Sequence, residues 1–392
     1  MDSNINIGNF RSKKFCVIFF NKSSFFQNIL YVNLSSTIPI TSFIMFNKPT
    51  SDCCSFYKDR PYYFPINYPL NSNIISAKIK KEHIFFLQST RNFVNWNCLI
   101  VQKQRLYNFN AEVLTAYFKT EKNSVGCHYH CCVSICHSHD HVIGHFFYEF
   151  YSLYVFFPTI IKKKSITILP KKTHFVVDYI EVASINHFQI KVLPKNIFYF
   201  CDFVYTVYPN PYGKYFAKLI IKLKEFLNNF LKKSSVPGFS CNNVLFYNKP
   251  KNSRRHIANF EEIIYFFGRK TDKFNFYVCP ELVSIHQSFH LFGETFCFVA
   301  VHSSIFINTL YLKNHSIVIE ISTKSISPNW YLVTSYLHIF HVIYHVPFIS
   351  DFGVGNYLLS IKKLFNLFVF SLDKYQQNSL DKETVNHQTF NF

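Results

Sequence analysis

The side chains best placed to do chemistry lie in the second half of the chain. Arg254 and Arg255 follow the apolar run Val244–Tyr247, and His302 stands directly after the apolar run Phe296–Val301. A pair of guanidinium groups offers bidentate, charge-assisted hydrogen bonds to phosphate. An imidazole followed by a helix start combines a titratable nitrogen with backbone N–H groups that receive anions. Each feature has a plainer reading: a histidine there is also a cap or a satisfied polar core residue, and an arginine pair is also a solvated loop. What favours chemistry is their agreement. If both runs are parallel strands, both sets of side chains fall at the same sheet edge, where open α/β sheets bind ligands.

A second cluster invites a metal reading. Cys127, Cys131, Cys132 and Cys136 are interleaved with His128, His130, His137, His139 and His141. Zinc sites pair their ligands as C-x2–4-C with a second pair further along, and this crowd lacks that layout. The expectation is a strand and turn with incidental thiols, and no bound metal.

The elements that must position these residues follow from periodicity. Ile166–Leu169 and Gln189–Leu193 read as strands, His174–Ile185 as a helix, and Phe198–Val207 extends the apolar pattern. Phe216, Leu219, Ile220, Leu223, Phe226, Leu227, Phe230 and Leu231 recur at helical spacing, with lysines on the other faces, as in a packed helix. Ser234–Ser240, with Pro237 and Gly238, ends that helix and marks a domain boundary. Beyond it strands and helices alternate. Strands are expected at Val244–Tyr247, Phe274–Cys279, Phe296–Val301 and Ile317–Ile321. Helices are expected after Asn259 as cap, after Ser284 with Gln287 as its capping-box partner, and over about 304–312. Such alternation predicts a parallel, Rossmann-like sheet.

Composition sets the frame. The chain has 392 residues, enough for two domains with proper cores, so size alone demands no disulfide staples. With 49% hydrophobic and 16% charged residues it is globular in class. Phe (48) and Tyr (26) are abundant while Gly is only 9, a codon-like bias that weakens propensity arguments. The formal charge of +19 favours anionic partners. No aromatic and basic signature of a nucleic-acid module is found, so nucleic acid is not expected as a partner. Phe146–Ile161, the most apolar stretch, is interrupted by Glu149 and Pro158 and is shorter than the roughly 20 residues of a spanning helix. Near the N-terminus, Lys13 and Lys14 precede Phe15–Phe20, a run shorter than the usual signal-peptide core of about 7–15 residues, but Ile29–Phe46 is also fairly apolar, so a degenerate signal anchor and membrane association stay open. The expected organisation is an irregular leader over 1–80, an α/β domain over 81–235, a second over 240–350, and a tail over 351–392.

Several stretches, taken in order, resemble glycosyltransferase family 61. Arg254-Arg255-His256-Ile257-Ala258-Asn259-Phe260-Glu261 is similar to the family's R-R-x-I/L-x-N-x-x-E opening. Gln287 through Leu291-Phe292 matches its Q-x-x-x-F helix. His302, with Asn308 six residues on, matches the H-G-A-G-L-T-N turn, and Val318-Ile319-Glu320 the V-I-E strand. Upstream, Gly144-His145-Phe146-Phe147-Tyr148-Glu149 is similar to the family's G-H-W/F-L-L-E/D segment, so the resemblance spans about residues 140–350. The family's glycines after the histidine are replaced here by Ser303 and Ile305, which alters how closely backbone approaches a ligand.

The resemblance implies two Rossmann-like halves in a GT-B-like architecture and inverting transfer from a nucleotide sugar to a hydroxyl of a glycan or glycoprotein. It implies neither a cofactor nor a metal, and a secretory-pathway location. Arg254, Arg255 and His302 would serve the leaving diphosphate. Gln287, Ser303, Asn308 and Glu320 would orient the donor or hold the turn, Asn308 rather the latter. His145 and Glu149, four apart on one helix face, would be acceptor base and orienting partner, facing His302 across a cleft; otherwise His145 caps or packs and Glu149 bridges to a lysine. Two other classes stay open. A catalytically inactive relative would bind glycan or nucleotide without turnover, and a Cys/His metal-binding protein would carry metal through purification.

Overall fold

The computed structural model describes residues 124–135, 143–169, 189–192, 197–208, 217–231, 242–280, 284–322, 329–346 and 355–380, with isolated positions at 176–182 and 349 and some strand segments upstream of 124. The chain divides into two compact units, Met1–Ser35 with Lys81–Leu219, and Ser36–Lys80 with Ile220–Phe392.

The first unit is built on a mixed sheet. Strand β1 (His83–Val94) runs antiparallel to β5 (Ile197–Tyr208), and β5 pairs parallel with β2 (Ser124–Val133) on its other side. The parallel set continues through β3 (Ile166–Leu169) to β4 (Ile190–Val192). The apolar stretch that begins at Phe146 is helical. Helix α1 starts at Ile143–His145, passes through a wide π segment at Phe146–Tyr151 and ends at Ser152–Phe156; Pro158 then precedes the short α2 (Thr159–Lys164). Phe146, Phe147, Phe150, Tyr151 and Tyr154 of α1 are all buried. Phe147 meets the Tyr179 ring edge-on at 3.9 Å, and Tyr151 Oη donates to the Tyr179 carbonyl at 2.7 Å. Tyr179 belongs to the predicted helix 174–185, whose described positions 176, 178, 179 and 182 are helical; Val176, Tyr179 and Val182 are buried at helical spacing. Among the described residues no helix is long and apolar enough to cross a membrane.

The second unit is a doubly wound parallel sheet. Its strands are β6 (Asn243–Tyr247), β7 (Asn275–Val278), β8 (Cys297–Val301), β9 (Ile317–Ser322) and β10 (Phe340–His345). They lie in the order β7-β6-β8-β9-β10, every pair parallel, with Ser42–Met45 added parallel to β10 at the edge. The long amphipathic helix read before the boundary is α3 (Ala217–Leu231), with Leu219, Ile220, Leu223, Leu227 and Leu231 buried. The predicted linker Ser234–Ser240 falls outside the described residues.

Helices α4 (Phe260–Lys270) and α5 (Ile285–Gly293) connect the first three strands. Helix α6 (Asn329–Tyr336) precedes β10, and α7 (Ile361–Leu380) ends the description. Residues 351–392, expected as a tail, thus contain α7, and its Leu364, Leu367 and Phe368 enter the main core with Ile263 and Phe267 of α4. That core takes the sheet face presented by Val244, Phe246, Val299, Val301, Ile319, Ile321 and Val342. Strand side chains alternate, so Leu245, Phe298, Ala300, Val318, Glu320, His341 and Ile343 point to the other face.

Two local expectations change. The segment after His302 is a 3-10 helix, Ser304–Tyr311, rather than an α-helix. Asn259 precedes α4 but makes no side-chain cap bond. Its carboxamide instead donates to the Leu359 carbonyl at 2.9 Å and accepts from the Leu359 N–H at 3.0 Å, pinning the helix start to the segment before α7. Ser284 does cap α5, accepting from the Gln287 N–H at 3.2 Å.

Candidate active site

In a 2-1-3-4-5 sheet the chain reverses its direction of winding between the first and third strands, and ligands bind at the carboxyl ends of those two. Here they are β6 and β8. The loop after β6 carries Arg254 and Arg255, and β8 runs directly into His302.

The loop after β6 is closed by its own polar side chains. Asn248, one residue past the strand, donates to the Ile257 carbonyl at 2.8 Å and accepts from the Ile257 N–H at 3.0 Å. His256 Nδ1 donates to the Lys249 carbonyl at 2.6 Å. Within this ring Asn252 and Arg255 adopt left-handed backbone, φ 67° and 68°. For a residue as large as arginine that conformation costs on the order of 1–2 kcal/mol, and such strain concentrates at functional sites. The bend carries Arg255 to the neighbouring strand end, where Nη1 donates to the His302 carbonyl at 2.7 Å. The two features read separately from the sequence therefore touch. Arg254 is exposed on the same loop.

Sequence reasoning missed Lys249. Its ammonium is pushed below the usual lysine range, first by burial and then by repulsion from Arg255. Lys249 thus places a second cation beside Arg255 on this loop.

His302 is held from the other side by register. Ala300 of β8 lies opposite Glu320 of β9, and Val318 lies opposite His341 of β10, so His302, Glu320 and His341 share one sheet face on three adjacent strands. His302 Nδ1 is hydrogen-bonded to Glu320 Oε1. His341 Nε2 stands 2.9 Å from Glu320 Oε2, a charge contact off the hydrogen-bond line. The far nitrogen of His341 donates to Thr334 Oγ1 at 2.7 Å, and that hydroxyl donates on to the Trp330 carbonyl at 3.0 Å. With Nδ1 so engaged, the Nε2 contact is attractive only when that nitrogen also carries a proton.

Glu320 and His341 are 1% and 0% exposed, while His302 keeps 15%. Burial pushes the Glu320 carboxyl up, but the two histidines outweigh it and hold the group well below the ordinary carboxylate range. The carboxylate thus fixes a proton on His302 Nδ1 and leaves Nε2, which has no hydrogen bond among the described residues, for a reacting partner. Phe306 stacks parallel to His341 at 6.2 Å and faces Trp330 at 6.0 Å, walling the charges off from water. His341 and Thr334 escaped the sequence reading because one buried histidine in an apolar strand has no distinguishing spacing.

The remaining expected residues take the following places. Ser303 is buried in extended backbone, φ −167°, which any residue adopts, and its hydroxyl has no hydrogen bond among the described residues. Glycine is therefore not required there by dihedral angle. Ile305 is half-buried. Asn308 is 6% exposed within the 3-10 helix. Gln287 is exposed in the first turn of α5, which follows β7 at the same end of the sheet.

In the first unit the pair read from helical spacing has formed. His145 Nδ1 lies 3.0 Å from both oxygens of Glu149, which is fully buried while His145 is 29% exposed. The π segment that contains Glu149 is a form enriched at functional sites. The cysteine and histidine cluster holds no metal-binding group of three or more ligands among the described residues. Cys127, Cys131 and Cys132 lie along β2, and His128 and His130 both bond Asp202 of β5, at 2.9 and 3.0 Å. Cys136, His137, His139 and His141 lie outside the described residues.

A doubly wound parallel sheet with Arg255, Lys249 and a carboxylate-held histidine at its switch point is a Rossmann-like domain. Over residues 143–319 the chain matches the family model of glycosyltransferase 61, the family its motif order resembles. The match begins at helix α1, takes in Arg254, Arg255, Gln287 and His302, and stops one residue before Glu320. It supports glycosyltransferase activity in general. No curated protein matches the chain.

Proposed function

We propose that the protein transfers a sugar, with inversion, from a nucleotide-sugar donor to a hydroxyl of a glycan or glycoprotein. The observation that carries this reading is the meeting of Arg255 with His302 at the β6/β8 switch point, beside Lys249 and above the Glu320–His341 pair. In such a transfer the bond from the anomeric carbon to the diphosphate breaks as the acceptor oxygen attacks from the opposite face, and negative charge builds on the departing diphosphate. Preorganised positive charge directed at developing charge is usually the largest catalytic contribution.

Arg254, Arg255 and Lys249 supply that charge as fixed cations, which is the role a metal would otherwise fill. His302, with Nδ1 locked by Glu320, presents Nε2 to the leaving phosphate or to a donor hydroxyl. Ser303, whose hydroxyl has no hydrogen bond among the described residues, and Gln287 line the same strand ends and orient the donor; Asn308 holds the turn. His145, oriented by Glu149, is the acceptor base. A GT-B-like pairing of the two units and a place in the secretory pathway complete the proposal.

A thermal-shift screen against nucleotide sugars and nucleoside diphosphates tests it. One ligand class should raise the melting temperature, since ligand at 100 times its dissociation constant stabilises by about 2.7 kcal/mol. A flat response to every nucleotide would remove the donor site. Binding with no transfer or hydrolysis would mark an inactive relative.

A further inference from the structure

The second unit contains a cleft that the proposed chemistry does not use. It has a volume of about 560 Å³, within the roughly 300–1,000 Å³ of small-molecule sites. Gly293 ends α5 just before β8 begins, and 311–314 lies just before β9 begins. The cleft is therefore at the amino ends of the strands, opposite His302.

Its distinguishing group is Lys224 of α3. The ammonium donates to the Leu312 carbonyl at 2.7 Å and to Asn314 Oδ1 at 3.2 Å, both neutral acceptors. An ammonium has three donors, and among the described residues the third has no partner and no carboxylate pairs with the charge. Burial alone brings its pKa down to about 8. Lys313, on the same rim, is also pulled down by burial, with Glu294 acting against this. Asn228, four residues after Lys224 and on the same helix face, adds a carboxamide. Opposite stand Phe289 and Tyr311, packed edge to face at 5.9 Å, a wall suited to the flat body of a small molecule. Gly293 also lines the cleft, and an added Cβ there would meet nothing within 4 Å.

We propose that this cleft is a second binding site, taking the oxyanion of a small molecule, carboxylate or phosphate, on the Lys224 ammonium with the rest of the ligand against Phe289 and Tyr311. A lysine serving only to staple α3 to the 312–314 turn would need neither the open third donor nor the space in front of it.

Calorimetric titration of the full chain with inorganic phosphate, and separately with acetate, tests the proposal on wild type, Lys224→Met, Gly293→Phe and Arg255→Ala. The expected result is saturable binding of at least one anion to wild type, retained in Arg255→Ala and weakened tenfold or more in both Lys224→Met and Gly293→Phe. Gly293→Phe adds bulk to the cleft lining and leaves the lysine itself unchanged, so it decides the question if Lys224→Met fails to fold. Three results would overturn the proposal: no saturable binding of either anion, wild-type affinity in Gly293→Phe, or binding abolished by Arg255→Ala, which would place the anion at the switch point instead.

Discussion

Removing the Glu320 carboxylate should separate its charge from its shape. The group is 1% exposed and touches two imidazoles, His302 through Nδ1 and His341 through Nε2. Glu320→Ala removes the partner of His302 Nδ1 and the charge facing His341 Nε2, leaving His341 its bond to Thr334, and breaking a buried pair from one side costs about 3–5 kcal/mol. Glu320→Gln keeps the shape: its carbonyl still accepts from His302, while the negative charge that faces His341 Nε2 at 2.9 Å is gone. The charge-assisted hydrogen bond to His302 then becomes a neutral one, a loss of about 1 kcal/mol, and the charge contact with His341 is lost besides. Urea denaturation at pH 7 measures both.

The pH dependence has a definite sign. The folded carboxyl titrates below its unfolded value, so its stabilisation is full above the ordinary carboxylate range and is lost as pH falls from about 4.5 through the depressed folded value near 2. The wild-type advantage over Glu320→Gln should therefore be complete at pH 7 and shrink on acidification. A Glu320→Ala variant within about 1 kcal/mol of wild type at pH 7, or a gap to Glu320→Gln that stays constant down to pH 3, would refute the charged bridge.

Arg255→Ala should weaken nucleoside-diphosphate binding by roughly 1.5–3 kcal/mol, the range of a charged hydrogen bond; unchanged affinity in calorimetry removes it from the donor site. Ile305→Gly should bind donor at least as well as wild type, because the Ile305 side chain only adds bulk near the ligand; a folded variant without nucleotide affinity would show that this turn does not face the donor. Glu149→Gln should slow transfer to acceptor by about 10²–10⁴-fold, the usual range for general-base catalysis, while donor affinity stays constant; an unchanged transfer rate would remove the His145–Glu149 pair from the chemistry.

The second unit was legible in the sequence because its strands are short, apolar and regularly separated. Val244–Tyr247, Phe296–Val301 and Ile317–Ile321 were found to within a residue, and strand alternation was enough to put Arg255 and His302 at one sheet edge. Sequence did not show how they meet. The contact depends on a left-handed backbone at Arg255, a conformation arginine seldom adopts, and on an Asn248 clamp nine residues long.

Glu320 was legible only through the family's motif, since a carboxylate in a fully buried strand contradicts hydrophobic patterning. The reason lies in His341, which comes from the next strand and is visible only once register is known. Asn259 shows the converse: a residue type that caps helices was drawn by tertiary contact to Leu359 instead. In the first unit the four-residue spacing of His145 and Glu149 was legible, whereas the π segment between them was not, because its hydrogen-bond shift leaves no mark on apolar periodicity.

The central claim is tested most directly by release of nucleoside diphosphate from whichever nucleotide sugar stabilises the protein, measured for wild type and His302→Gln at saturating donor. Wild type should release nucleoside diphosphate at a measurable rate, and the variant about 10²–10⁴-fold more slowly, the usual range for a lost acid–base group. Release by His302→Gln at the wild-type rate, with donor affinity unchanged, would contradict that claim.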